Sequence, residues 1–332
     1  MCEDAGLNMS DEDAKTSRHR AARLARPRPL AWLGQRINYL LWERPFRGAA
    51  RISAVVSKAL IGPVRGPTIC PTRYGFRLVA DPTSANTVDK AVFLKGTYEA
   101  GTIAVVAQCL RRGDIFIDVG SYIGLMALAA SKLVGEDGVV HAFEPEPRSF
   151  DVLRKNVEMN RAPNVLLHNV ALGSAPGKAR ISSSPTSRAS AALMRRPELG
   201  GGEEVTVETL DRVLSRSTPP TKRSRLRIMK VDVEGWELEV LRGARELLGS
   251  PYAPILCVEC STHRADQMAR PLDLYNFIVC VNNYVVYRLE KSKERPSRLV
   301  VISTADELQK HDNLFCFRPE HVRTLPGNMF RH

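Results

Sequence analysis

The stretch DIFIDVGSYIGLMALAASKLV, residues 114–134, constrains the fold more than any other part of the chain. DIFIDV is a run rich in β-branched and aromatic residues that ends at Gly120, and SYIGLMALAASKLV has the pattern of a buried helix. The reading is strand, glycine turn, helix. VVHAFEP then reads as a second strand, PRSFDVLRKNVEMN as a second helix and NVLLHNVAL as a third strand. Alternation with short connections implies a parallel sheet covered by helices on both faces. Right-handed crossovers bring the strand ends to one edge, where open α/β sheets bind ligands. Further strands are read at IMKVDVEGW and PILCVEC, with the helix WELEVLRGARELL between them. Residues 265–320 read as a final helix and two antiparallel strands, FIVCVNNYVVYRL and NLFCFRP. The predicted class is therefore α/β, a mostly parallel doubly wound sheet with an antiparallel C-terminal strand and a basic N-terminal arm.

Spacing narrows the ligand. Gly120 and Gly124 give G-x-x-x-G, without the three glycines that approach a dinucleotide pyrophosphate and without the Lys-Ser/Thr of a P-loop. NAD and nucleoside triphosphates are disfavoured. Asp118 stands at the tip of the first strand and Glu144 at the tip of the second. An acid at the second tip can accept hydrogen bonds from both hydroxyls of a ribose, while glycines allow close backbone approach. A nucleoside without phosphates, joined to an amino acid and cationic at sulfur, meets these needs: S-adenosylmethionine.

FIDVGSYIG, VVHAFEPEPRSFDVLRKNVEMN, NVALGSAPG, VTVETLDRVL and IMKVDVEGWELEVLRGARELL together resemble, in order, the motifs of the FkbM-type S-adenosylmethionine-dependent methyltransferases. The likeness runs from about Tyr98 to Glu259 and weakly on to Phe317. It implies a Rossmann-like class I methyltransferase fold and O-methylation of a hydroxyl on a sugar, glycan, glycolipid or polyketide-type acceptor. It also implies that Asp118, Gly120, Ser121 and Gly124 line the methionine side of the cofactor, that Glu144 holds the ribose, and that Asn169 and Val170 fall at the adenine. Tyr98-Glu99 matches a Tyr-Glu or Trp-Glu pair of the family, placing Glu99 at the cofactor's polar end. The family's small residue and Asn after DVG are Ser121 and Tyr122 here, so Tyr122 is expected to reshape the turn or cover part of the cofactor. His168, one position out of phase with Asn169, reads as a packed or exposed bystander.

The fourth strand tip supplies further acids. Asp232 and Glu234 share a face if the strand continues, and PILCVEC ends at Glu259 with His263 four residues on. Methyl transfer to a hydroxyl needs in-line geometry and removal of the proton. Asp232, Glu259 and His263 are the candidate catalytic residues, with His263 the natural base. Alternatively Asp232, Glu234 and Glu259 could hold a divalent cation that lowers the hydroxyl's pKa. No compact ligand motif accompanies them, and the metal-free route is favoured, with no metal site assigned. Cys257 and Cys260 spell C-x-x-C but point to opposite faces of a strand, so no zinc site is read there.

With 332 residues, 44% of them hydrophobic, the chain can bury a large core. No stretch approaches the length of a spanning helix, and seven scattered cysteines suit a reducing compartment. The acidic start and the lack of an apolar h-region predict a cytoplasmic protein, with peripheral membrane contact through the arm as a further option. The division is an arm over residues 1–65, a methyltransferase domain over 66–320 and a tail over 321–332. Residues 1 to about 30 read as disordered. Trp32, Leu33, Ile37, Leu40 and Leu41 predict a short amphipathic helix, either interfacial at a membrane or packed on the domain. Residues 173–204 read as a surface insertion in which Arg188, Arg195 and Arg196 could meet an anionic or glycan acceptor. The net charge of +12 raises an alternative, a basic nucleic-acid-binding protein with a methyltransferase-like fold. Against it, no RRM, KH or zinc-finger pattern appears and the base-modifying N-P-P-Y or D-P-P-Y signature is missing.

Overall fold

The computed structural model describes residues 31–43, 46–61, 64, 66–184, 187–193, 202–261, 270–309 and 311–331. The parallel part of the main sheet comprises β3 (Ile115–Val119), β4 (Val139–Phe143), β5 (Val165–His168), β10 (Leu226–Val231) and β11 (Ile255–Ser261). Every residue of β3 is buried, as expected for a central parallel strand covered on both faces. The antiparallel part is β12 (Val285–Leu289), β13 (Leu299–Ile302) and β14 (His311–Phe317), with β14 wedged between β11 and β12. The two-residue β15 (Phe330–Arg331) pairs in parallel with β13, so the segment set apart as a tail contributes to the sheet. Among the described residues these nine strands lie in the order β15-β13-β12-β14-β11-β10-β3-β4-β5.

Helices cover both faces. On one side lie α4 (Ala100–Cys109), α5 (Leu125–Val134) and α6 (Pro147–Met159), packed with Phe116, Ile123 and Phe315. On the other lie α7 (Leu210–Ser217), α8 (Glu237–Arg242), α9 (Arg245–Gly249) and α10 (Pro271–Asn282), packed with Ile117, Met229 and Val258. Cys257 belongs to the first layer and Cys260 to the second, which keeps the two thiols apart. The chain before β3 adds α1 (Ala31–Glu43), α2 (Ala49–Val56), the hairpin β1 (Thr68–Pro71) and β2 (Arg77–Ala80), and α3 (Thr87–Lys95).

Five local expectations change. NVLLHNVAL is not one strand: β5 stops at His168 and β6 (Ala171–Leu172) joins a second sheet. That sheet also holds β7 (Gly177–Ser184), β8 (Ser187–Leu193) and β9 (Glu203–Glu208), in the order β6-β9-β7-β8. Much of the presumed insertion is therefore paired strand, with Arg188 on β8 and Arg195 and Arg196 outside the described residues. WELEVLRGARELL breaks at Gly243 into α8 and α9, and only glycine fits there, since a Cβ would meet the Gly173 carbonyl oxygen at 1.9 Å. FIVCVN is helical in α10, the strand beginning only at Val285. IMKVDVEGW stops being a strand at Val231. Asp232 and Glu234 therefore do not alternate along one pleat, and Glu234 sits in a left-handed turn at φ 59°.

Candidate functional site

The ends of β3, β4, β10 and β11 open into one cavity of about 310 Å³. Its floor is the turn after β3. Gly120 has φ 85°, and a Cβ there would lie 1.9 Å from the Asp232 carbonyl oxygen, so only glycine lets the tips of β3 and β10 come this close. Tyr122 occupies a left-handed conformation at φ 49° and donates its backbone N–H to Glu144 Oε2 at 2.8 Å. Its phenol donates to Asp89 on α3, tying the turn to the element that forms the opposite wall. Gly124, with φ 90°, does not line the cavity; it begins α5, and a Cβ would meet Leu153.

Asp118 and Glu144 both face the cavity. Neither carboxylate oxygen of Asp118 has a hydrogen-bond partner, and burial pushes its carboxyl up to about 6 against the lowering influence of Lys230. Glu144 accepts from the Glu146 N–H at 2.9 Å as well as from Tyr122; burial nonetheless pushes it up to about 7. Two buried acids, one of them wholly unpartnered, suit a ligand that brings donors and positive charge. Ser121 and Val170 line the same cavity. Asn169 does not: its amide donates to the carbonyls of Glu144 at 2.8 Å and Pro145 at 3.3 Å. His168 is a packed residue, its ring stacked on Phe143 and 3.1 Å from His141.

A charged cluster closes the other side. Lys230 Nζ lies 2.7 Å from Asp232, and Lys293 Nζ lies 2.7 Å from Glu99 and 3.1 Å from Glu259. Asn313 donates to Glu99 at 2.8 Å, and His311 Nε2 stands 3.4 Å from Glu259. Burial, then the Asp232 charge, raises Glu259 to about 9. For Asp232 burial acts upward too, but Lys230 and Lys293 outweigh it and hold the carboxyl at about 2. At neutral pH this makes Asp232 the ionised partner and Glu259 the protonated one.

Carboxylate oxygens of Glu99, Asp232 and Glu259 lie within 4.8 Å of one another, a grouping that includes Glu99 in place of Glu234. These residues do not fit a divalent cation as built, because two lysine ammonium groups already sit against all three. His263 lies outside the described residues; among the described ones, His311 at the start of β14 brings an imidazole to the cavity. Lys230, Lys293, His311 and Asn313 were not anticipated. Lys230 carried a signal, since a lysine inside an apolar central strand requires a buried counter-charge. The others carried none, because the long-range pairing of β14 with β11 brings them in.

The Methyltransferase FkbM domain profile matches residues 118–289. The hexuronic acid methyltransferase AglP of Haloferax volcanii is 30% identical over 193 residues, 57% of this chain and 73% of that protein. Methyltransferase sdnD of Sordaria araneosa is 30% identical over 163 residues, 41% of this chain and 62% of its own length. Among solved structures, a SAM-dependent O-methyltransferase from Thermotoga maritima has 13% identity and a TM-score of 0.35, covering 81% of this chain and 80% of that one.

Proposed function

Because the chain belongs to the FkbM family of S-adenosylmethionine-dependent methyltransferases, we propose that it O-methylates a hydroxyl on a sugar, glycan, glycolipid or polyketide-type acceptor, with Asp232 taking the proton. The observation that carries this reading is the division of one cavity between an unpartnered buried acid, Asp118, and an ionised Asp232 held by Lys230. Asp118 would hold the positive methionine end of the cofactor and Glu144 the ribose, with Gly120 and Ser121 against the methionine backbone and Val170 at the base. S-adenosylmethionine, when bound, supplies an electrophilic methyl group on a cationic sulfur.

Asp232 would accept a hydrogen bond from the acceptor O–H, turning one oxygen lone pair toward the methyl carbon. With the methyl group supplied by bound cofactor, the proton displaced from the acceptor oxygen would pass to Asp232. The low basicity of Asp232 delays this transfer until the acceptor oxygen has become positive. Glu259, already protonated, adds no second negative charge to repel that of Asp232. Lys293 fixes Glu99 and Glu259 and occupies the space a cation would need. Trp236 lines the cavity with an indole N–H that lacks an acceptor, a feature suited to sugar hydroxyls. The name of AglP favours a sugar among the acceptor classes.

The test is methyl transfer from labelled S-adenosylmethionine to fractionated glycan, lipid and small-molecule pools, with Asp232→Asn alongside. The variant should lose about 10²–10⁴ in kcat while binding the cofactor within a few-fold of wild type. A chelator should leave the wild type unchanged. Full activity of Asp232→Asn, or chelator-sensitive turnover restored by Mg²⁺, would reject Asp232 as the metal-free base.

A further inference from the structure

The N-terminal helical pair is amphipathic the wrong way round for a segment that only packs on a domain. On α1 the buried side chains are polar: Asn38 donates to Ser57 at 2.9 Å, Trp42 donates to Ser53 at 3.2 Å, and Gln35 is buried as well. Tyr39 reaches the domain, donating to the Pro71 carbonyl and packing over Gly96. These contacts fix which sides of α1 face α2 and the domain. Leu33 and Leu40 lie on what remains, with Leu40 66% exposed. On α2, Ser53 faces α1 while Ile52 and Val55 are exposed, Val55 at 67%. Among the described residues, half of the large exposed hydrophobics fall between Leu33 and Val55, a span that includes Phe46 in the connection.

The sequence around this apolar face is strongly basic. Residues 15–65 hold twelve Arg and Lys against a single Glu. Arg36 on α1, Arg51 on α2, Arg47 in the turn between them and Lys58 just after α2 are all exposed. A second copy of so basic a segment would be repelled, and a nucleic acid would gain little from exposed leucine, isoleucine and valine. An anionic membrane surface answers both features, because acyl chains take the apolar side chains and headgroups take the arginines. At thirteen residues α1 is about 20 Å long, too short for a bilayer core of about 30 Å. No described helix is long and apolar enough to cross a membrane. The geometry of an interfacial anchor remains.

We infer that the α1–α2 pair docks the protein onto anionic lipid through Leu33, Leu40, Ile52 and Val55, with the surrounding arginines on the headgroups. The experiment is co-sedimentation of the full chain with phosphatidylcholine vesicles, and with the same vesicles carrying phosphatidylserine as a minor component. Each basic residue at an anionic surface contributes about 1 kcal/mol, or about fivefold in partitioning, so phosphatidylserine should raise binding by tenfold or more and high salt should reverse it. The double variant Leu40→Glu/Val55→Glu should abolish sedimentation while keeping wild-type melting and S-adenosylmethionine affinity, which shows that the enzyme itself is intact. Three outcomes would overturn the inference: unchanged vesicle binding by this variant, equal binding to neutral vesicles, or retention on a mixed-sequence RNA by a chain that ignores both vesicle types. Self-association at micromolar concentration that the double variant abolishes, with no vesicle binding, would overturn it as well.

Discussion

Asp118 lies at the tip of the central strand with no partner for either oxygen, and its ordinary carboxyl value of 3.8 is raised to about 6 chiefly by burial. The native state therefore binds this proton more tightly than the unfolded chain does. Its ionisation costs nothing below 3.8, costs progressively more as the pH rises toward 6, and acts in full above that. Asp118→Asn is expected to raise unfolding stability near neutral pH by on the order of 2 kcal/mol, while weakening S-adenosylmethionine binding by about tenfold or more through loss of a charge-assisted contact. Urea melts across pH decide the matter. A stability gain of equal size at about pH 8 and about pH 5 would show that another group titrates.

At the scale of elements, the loop carrying Lys293 is seated on the start of α4. Gly101 and Thr102 both donate their N–H to the Lys293 carbonyl, and a Cβ on Gly101 would lie 2.7 Å from the Arg295 carbonyl oxygen and 2.8 Å from that of Lys293. In an isolated helix Gly→Ala helps by about 0.5–1 kcal/mol. Here Gly101→Ala should destabilise by about 1–3 kcal/mol, because the added methyl pushes the loop away. It should lower kcat more than cofactor affinity, since Lys293 serves the Asp232 side of the cavity. Urea melts with single-turnover kinetics test this, and a more stable, fully active variant would refute it. The same contact explains what the sequence could and could not reveal. The strand tips were readable because DVG, FEP and the helices after them are local patterns with their own periods and turns. The lysine clamp was not, because Asn313 meets Glu99 across 214 residues through a strand register that no local period encodes.

On the scale of the whole molecule, the family match ends at residue 289, whereas Lys293, His311 and Asn313 lie beyond it and Glu99 lies before it. β14 is also the strand that joins β12 to the parallel sheet, and it buries Leu314, Phe315, Cys316 and Phe317. A chain ending at residue 290 would keep almost every recognisable motif and lose this seam. Burying a side chain such as Leu or Phe contributes about 1.5–3 kcal/mol, so the loss of these four is comparable to the whole 5–15 kcal/mol by which folded domains are ordinarily stable. Calorimetry of the truncated chain should give no cooperative transition. A sharp melt with retained cofactor binding would mean that β14 is dispensable.

The place of β14 at the far end of the chain also has a temporal consequence. During synthesis Asp232 leaves the ribosome some eighty residues ahead of Asn313, which at about 5–20 residues per second is an interval of about 4–16 s. For about the first sixty of those residues Glu99 lacks its partner Lys293, and for all of them β12 has no β14 to join it to the parallel sheet. The nascent chain therefore cannot close its pocket ahead of the last strands, so cofactor binding and catalytic competence are gained together.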